Sequence, residues 1–435
     1  MPSTSRTYRL VARAAAALVP VAALLNEKVG RSHRGRAGAA DRLVAWGRRA
    51  RDRSRPLVWL HAPSVGEGLQ AESVLRHLRA RHPEWQFAYT WFSPSAEALG
   101  RRLPVDVADY LPYDLPEEIG RVIEALRPDA LVFSKLDLWP ELATRAAAAG
   151  ARVVMVAATV APGSGRLRWP ARKLLEPGYA SLTAAGAIST DDASRLERLG
   201  VPKDRIRTTG DPRFDSVIEK VEAVPEDHPL LAYGRGAPTM VAGSTWPGDE
   251  RVVLDAFARL HVHRPDARLI LVPHEPTERH LAPIARLAQR LGLPAPVRLG
   301  QADGRPVPFL LVDQVGALAA LYGAGGMAYV GGGFGKAGLH SVLEPAAWGM
   351  PVVFGPRWQN SRDAGLLLTA GGAESLSAFG TEEAGEALHA LWLDWIRSET
   401  RRSAQGRKAR ETVEAGRGAA ERSAQLVAEV LARVT

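Results

Sequence analysis

The chain has 435 residues, 46% hydrophobic and 24% charged, a balance that supports two domains with packed cores and excludes a disordered chain. It has no cysteine, which excludes disulfide frameworks, thiolate-ligated zinc, iron–sulfur clusters and cysteine nucleophiles. The formal net charge of +9 points to nucleic acid only if it is spread over the folded body. It is not: residues 1–55 carry thirteen basic and three acidic side chains, leaving 43 basic and 44 acidic residues in the remainder. The body is neutral, so no nucleic-acid partner is expected.

The basic segment brackets an apolar run, Ala14–Leu25, interrupted by Pro20. Twelve residues are too few to span roughly 30 Å of hydrocarbon as a helix. The expectation is a monotopic anchor over residues 1–30, apolar side chains in the interface and arginines on an anionic membrane surface. A signal peptide without a convincing cleavage site, or an ordinary helix with a solvated basic face, are the alternatives.

From Pro56 the chain alternates short apolar runs with amphipathic ones. Strands are predicted at Leu57–Ala62, Gln86–Thr90, Ala130–Ser134, Arg152–Ala158, Gly186–Ser189 and Ile206–Thr209, with helices at Gly68–Arg81, Pro116–Leu126, Glu141–Ala149 and Asp191–Leu199. The pattern breaks at residues 216–238, read as a linker, and restarts. Strands then follow at Thr239–Ala242, Arg268–Val272, Phe309–Val312, Met327–Val330 and Pro351–Phe354, with helices at Glu250–Leu260, Thr277–Leu291, Ala317–Tyr322 and Ser341–Trp348. The fold class is therefore α/β, with two Rossmann-like, doubly wound domains over residues 31–215 and 239–410. A C-terminal helix over residues 411–435 is expected to pack back on the first. Ligands of such sheets bind at strand carboxyl ends, in the cleft that the two domains face.

Motifs fall at those ends. His61-Ala62-Pro63-Ser64-Val65-Gly66-Glu67-Gly68 follows the first strand and opens a helix; Gly66 and Gly68 permit a tight turn, and Glu67 either satisfies end-of-helix N–H groups or serves as a general base. The run Val330 to Pro345 ends a strand in glycines that a ligand can approach closely, Gly332 and Gly333 among them. Its helix, starting near Ser341, offers N–H groups to a phosphate. Gly333, Gly335 and Gly338 match G-x-G-x-x-G formally, but the next strand ends at Phe354 without the acid a dinucleotide ribose needs, and Lys336-Ala337 is not a P-loop. Glu344 is suited to the ribose of a mononucleotide. Ser244-Thr245-Trp246 is either an anion-binding turn or an N-cap, and Pro273 to Arg279 brings His274 and Arg279 to a helix start. No metal-ligand spacing and no nucleophile elbow occurs, so no metal or cofactor is expected.

These motifs together resemble the 3-deoxy-D-manno-octulosonic acid (Kdo) transferase family, from about residue 30 to the end. Ser64-Val65-Gly66-Glu67, Leu111-Pro112-Tyr113-Asp114, Leu138-Trp139-Pro140, Gly210-Asp211-Pro212-Arg213-Phe214-Asp215, Ser244-Thr245, and Val330-Gly331-Gly332 with His340, Leu343-Glu344 and Gly355-Pro356 follow its signatures in order. Departures concentrate where the donor would bind: Trp246 stands for a histidine, His274-Glu275 for an arginine–histidine pair with Arg279 displaced, Ser341 for an asparagine, and Lys135 precedes Asp137 where two acids are usual.

The resemblance implies the GT-B fold and transfer of Kdo from the donor CMP-Kdo to a lipid A precursor in lipopolysaccharide biosynthesis, inverting and metal-independent, at the cytoplasmic face of the inner membrane. It implies Glu67 as catalytic base and Ser244, Thr245, His274, Arg279, Gly332, Gly333, His340, Ser341 and Glu344 as donor contacts. Ser64, Gly66, Asp137 and Arg213 become acceptor or anion contacts. The alternative is a GT-B transferase or nucleotide-sugar epimerase with a different, soluble sugar substrate.

Overall fold

The computed structural model describes residues 3–336 and 338–432; the first two residues of the N-terminal segment, Ala337 of the glycine-rich run and the last three residues of the segment 411–435 expected to be helical lie outside the described residues. The chain divides into two units, Met1–Ser216 with Gly418–Thr435, and Val217–Arg417.

The first unit begins with α1 (Arg6–Leu25), α2 (Glu27–Arg36) and α3 (Ala39–Arg49). Alternation then sets in: β1 (Leu57–His61), α4 (Val65–Arg81), β2 (Gln86–Trp91), α5 (Glu97–Arg102), β3 (Val107–Tyr110), α6 (Pro116–Leu126), β4 (Ala130–Ser134), α7 (Pro140–Ala148), β5 (Arg152–Ala158), α8 (Ala171–Ala180), β6 (Ala184–Ala187), α9 (Thr190–Arg198), β7 (Ile206–Thr208) and the start of α10 (Pro212–Glu222), whose residues from Val217 on are counted with the second unit. The strands form one parallel sheet in the order β3-β2-β1-β4-β5-β6-β7. Central strands are buried on both faces, which is why they read as unbroken apolar runs. Leu57 and Trp59 face one core, Val58 and Leu60 the other, by the two-residue period of a strand.

The second unit repeats the plan with β8 (Thr239–Thr245), α11 (Pro247–His263), β9 (Arg268–Pro273), α12 (Glu278–Arg290), β10 (Val297–Arg298), β11 (Phe309–Leu311), α13 (Leu318–Tyr322), β12 (Met327–Val330), α14 (Leu343–Ala347), β13 (Val352–Phe354), α15 (Arg362–Ala370), β14 (Ala373–Ser375), α16 (Thr381–Arg397) and α17 (Glu399–Glu414). Its parallel sheet runs β10-β11-β9-β8-β12-β13-β14. Trp392 and Trp395 of α16 are fully buried against Met240, Leu269 and Phe309.

Several expectations change. The N-terminal helix is longer than its apolar run: α1 follows the Ser5 N-cap, passes through Pro20 and reaches Leu25, twenty residues that are long and apolar enough to cross a membrane by length and composition. Arg6, Arg9 and Arg13 interrupt the hydropathy without interrupting the helix. Residues 216–238 are not a plain linker but hold the end of α10 and a 3-10 turn, Pro229–Gly234. The helix of Ser341–Trp348 shrinks to α14, five residues starting at Leu343. Three edge or near-edge strands, β3, β10 and β14, have no apolar run to announce them, being short and only partly buried.

The last helix, α18 (Ala419–Ala432), lies in the first unit, with Leu426 and Val427 buried in the same core as Val58 and Leu60. Its start is held by Asp215, whose carboxylate accepts from the Gly418 and Ala420 amides, the second at 2.9 Å. Removing an N-terminal carboxylate cap of this kind costs about 1–2 kcal/mol. Asp215→Ala is therefore expected to lower stability by that amount in urea unfolding, with Asp215→Asn keeping part of it.

Candidate active site

In the first unit Glu67, on the helix that follows β1, meets Ser134 and Lys135 at the carboxyl end of β4. Glu67 lies in the first turn of α4. The Ser64 hydroxyl at its N-cap donates to the Glu67 carboxylate instead of capping the helix, and Lys135 Nζ donates to Oε1 at 3.0 Å. Ser134 Oγ holds the Glu67 carbonyl at 3.1 Å. Burial pushes the carboxyl up, but the Ser64 hydroxyl and the Lys135 ammonium outweigh it and keep Glu67 below the usual carboxylate range. With a side chain 17% exposed it is ionised, reachable and a weak base.

Gly66 does not make a tight turn; it sits exposed within the first turn of α4. The glycine the packing requires is Gly68, where a Cβ would lie 2.5 Å from Leu99 Cδ2 and 2.9 Å from the Tyr89 hydroxyl. Lys135 takes φ +65° just past β4, and Ala157 takes φ +52° where β5 shifts register against β6. Left-handed non-glycine residues at adjacent strand ends mark backbone held against its preference, as functional sites do.

Asp137 is reached through residues that the sequence reading left unassigned. Thr90 Oγ1 accepts from Trp59 Nε1 at 2.9 Å and shares a hydrogen bond of 3.0 Å with His61 Nδ1. His61 Nε2 stands 3.3 Å from Asp137 Oδ2, a carboxylate oxygen that can only accept and so calls for a proton on Nε2, and Trp139 Nε1 donates to the same oxygen at 3.1 Å. Burial pushes Asp137 up, and the His61 and Trp139 bonds outweigh it, so it stays below its ordinary value. Arg166 stands 3.8 Å from its other oxygen. Arg213, expected to meet an anion, is instead held by Asp211, Nε at 2.9 Å and Nη2 at 2.6 Å from one carboxylate oxygen.

In the second unit β8 ends in a register shift with Ser244 at φ +54°. Thr245 does not offer its hydroxyl to a ligand: it is fully buried and bonds Glu250 at 3.3 Å. Ser244 is only half-buried. Gly332 and Gly333 face protein backbone rather than open space. Gly332 takes φ +100° with a Cβ position 2.2 Å from the Gly338 carbonyl, and that of Gly333 is 2.6 Å from Gly355. Their turn is held by Asp249, fully buried, which accepts from the Gly332 amide at 2.9 Å, the Trp246 amide at 3.0 Å and the Tyr329 hydroxyl at 2.8 Å.

Beside this turn Trp246, His274 and His340 form an aromatic stack, with the two imidazoles 4.3 Å apart and 27° from parallel, and the indole centroid 4.8 Å from His274. Trp246 Nε1 donates to His340 Nε2 at 2.9 Å, which leaves the imidazole proton on Nδ1. Burial, then the neighbouring His274, pulls His340 down to about 4. Ser341 is exposed and precedes α14, so no helix N-terminus lies at it. Glu344 in α14 is paired with Lys220, and Arg279 is exposed in the first turn of α12. Among the described residues, no group of three or more His, Asp or Glu side chains is placed to hold a metal ion.

His340 carries a pH dependence. Its folded value of about 4 lies below the ordinary 6.5, so its contribution to stability is complete above about 6.5 and is lost as pH falls toward 4. His340→Gln is expected to flatten the slope of thermal unfolding across that interval.

The 3-deoxy-D-manno-octulosonic-acid transferase (kdotransferase) family model matches residues 33–216. The 3-deoxy-D-manno-octulosonic acid transferase of Bordetella pertussis is 30% identical over 84% of this chain and 85% of its own length. That of Haemophilus influenzae is 26% identical over 86% and 87%. Among solved structures, UDP-GlcNAc 2-epimerase from Neisseria meningitidis superposes with a TM-score of 0.60 at 14% identity, covering 86% of this chain and all of that one. A glycosyltransferase from Rickettsia africae gives 0.59 at 11%, covering 87% and 98%. At such identities the structures establish the fold alone, two Rossmann-like units of GT-B type. The sequence relationship carries the family: the chain belongs to the 3-deoxy-D-manno-octulosonic acid transferases.

Proposed function

We propose that this enzyme transfers Kdo from CMP-Kdo to a hydroxyl of a lipid A precursor in lipopolysaccharide biosynthesis. The observation that carries the reading is an ionised, partly exposed Glu67 set by Ser64 and Lys135 at a strand carboxyl end, in a chain alike over most of its length to transferases of that name.

In the reaction the acceptor oxygen bonds to the anomeric carbon of Kdo as the bond from that carbon to the CMP phosphate oxygen breaks. The electron pair leaves with CMP, the acceptor proton passes to the Glu67 carboxylate, and the configuration inverts. Cleavage of the CMP bond develops positive charge at the anomeric carbon, which acidifies the incoming hydroxyl, so a weak base suffices. No divalent metal is assigned. Ser64, Gly66 and Asp137 lie around the acceptor. On the donor, Ser244 and the Nδ1–H of neutral His340 meet the phosphate, His274 and Arg279 its anionic groups, and Glu344, held by Lys220, the ribose.

The exposed side of α1 supports association with a membrane, peripheral or monotopic, at the cytoplasmic face of the inner membrane where such an acceptor is built. Leu18, Val21, Leu24 and Leu25 are 58–87% exposed, whereas the start of the helix is tied to the body by Arg9 to Glu141 at 2.9 Å and Tyr8 to Asp114 at 2.6 Å.

Three sets of variants test these roles. Glu67→Gln should cut turnover by about 10²–10⁴-fold while CMP-Kdo affinity stays within a few-fold; Lys135→Met should move the acidic limb of the pH–rate profile upward by releasing Glu67 from its cation, and unchanged profiles would remove both residues from the chemistry. Serine at Leu18, Val21, Leu24 and Leu25 should weaken binding to anionic vesicles at least about tenfold, at about 0.8 kcal/mol per buried methylene lost, without altering the fold.

A further inference from the structure

A cavity of about 400 Å³ opens at the amino-terminal edge of the first sheet, where α3 and α6 end side by side. Gly47 makes the close contact there: a Cβ would sit 2.8 Å from the Ala125 carbonyl. Past that contact the walls are Arg48, Arg51, Arg53, Arg121 and Arg127, with Glu124 the one acidic residue lining it. The floor is Arg51, bonded to Asp129 and Gln86 at the starts of β4 and β2. Lys135, which bonds Glu67, lies past the other end of β4, about 20 Å from Asp129 along the strand.

The arginines divide into those the fold uses and those it does not. Arg51, with a side chain 3% exposed, is consumed by the carbonyls of Leu126, Arg127 and Arg55 and by Asp129. Arg121 pairs with Asp41. Among the described residues the side chains of Arg48, Arg53 and Arg127 have no hydrogen bond or ion pair, and Glu124 pairs with none of them. Helix-terminal arginines complement the macrodipole, but the bonds to the terminal carbonyls of α6 are made by Arg51 alone. Arg127 is the plainest case. It ends α6 at φ +42°, ψ 64°, a left-handed cap whose structural demands fall on its backbone alone, the N–H to Ile123 and the carbonyl that accepts from Arg51. Glycine or asparagine meets those demands without strain, so the fold gives no reason for a guanidinium there.

We propose that this cavity binds a phosphate group carrying two charges, a phosphomonoester or a pyrophosphate, at a second anion site on the face of the sheet opposite the Glu67 end. Guanidinium forks match phosphate oxygens two at a time, and several converging on one concavity exceed what surface ion pairing requires. The volume suits a small phosphorylated molecule or a single headgroup, not a polymer.

The test uses the full-length protein. Inorganic pyrophosphate, titrated calorimetrically near physiological salt, is expected to bind one per chain. The triple variant Arg48→Ala, Arg53→Ala, Arg127→Gly should bind at least about tenfold more weakly. Arg127→Gly alone should weaken binding with no fall in Tm, because the backbone relaxes, and Kdo transfer without pyrophosphate should be unchanged in both. Vesicles containing phosphatidic acid or phosphatidylglycerol separate the two sources: selectivity for phosphatidic acid that the triple variant loses assigns the site to a lipid phosphomonoester, and pyrophosphate binding without it assigns the site to a soluble ligand. Equal pyrophosphate affinity of wild type and triple variant, or complete displacement of pyrophosphate by CMP, would overturn the proposal.

Discussion

A buried carboxylate that accepts backbone N–H groups where a loop leaves a strand is the interaction on which both candidate sites hang. Asp249 does this in the second unit, tying the glycine turn after β12 to the start of α11. Asp114 does it in the first, accepting from the Glu141 and Leu142 amides at 2.9 and 2.8 Å and so setting the entry of α7. Asp192 accepts from Val160 at 2.7 Å, and Asp215 starts α18. A carboxylate in low dielectric is costly unless donors surround it. Once they do, the loop has one geometry, and strained residues such as Lys135 and Ser244 can persist beside it. The Leu-Pro-Tyr-Asp and Trp-Pro motifs, far apart in sequence, are thereby two halves of one hydrogen-bonded joint.

The same joint redistributes the charge. The excess of arginine in residues 1–55 looked like a single membrane-facing patch, yet much of it is spent inside the first unit. Arg9 meets Glu141, Arg13 meets Glu117, Arg42 meets Asp109, Arg51 meets Asp129, and Arg36 lies over the Phe92 ring while bonding the Leu111 and Phe92 carbonyls. The basic segment serves in part as a clamp on a neutral body. The apolar residues that stay exposed lie on the later turns of α1, whose start is fixed by Tyr8 on Asp114.

At the first site the residue types were legible and the partners were not. Ser64, Glu67 and Asp137 stand in recognisable motifs, but nothing local announces that Ser64 would turn from its cap to Glu67, or that His61, bonded to Thr90, would reach Asp137. Lys135 read as a departure from the family's pattern and is the cation that holds Glu67 ionised. In the second unit, Trp246 in place of a histidine keeps a ring whose N–H can only donate, which settles the tautomer of His340.

The sequence by itself determined the class of fold, because doubly covered parallel strands must be apolar throughout and their helices must be amphipathic. It also placed the chemistry-bearing residues at strand ends. Only the tertiary structure decided what those residues do with one another: that Thr245 and Arg213 are committed inward, that Gly332 and Gly333 pack on backbone, and that Arg48, Arg53 and Arg127 share one cavity. Local pattern reports burial along one element. Hydrogen bonds and ion pairs join residues whose separation in the chain carries no trace of their distance in space.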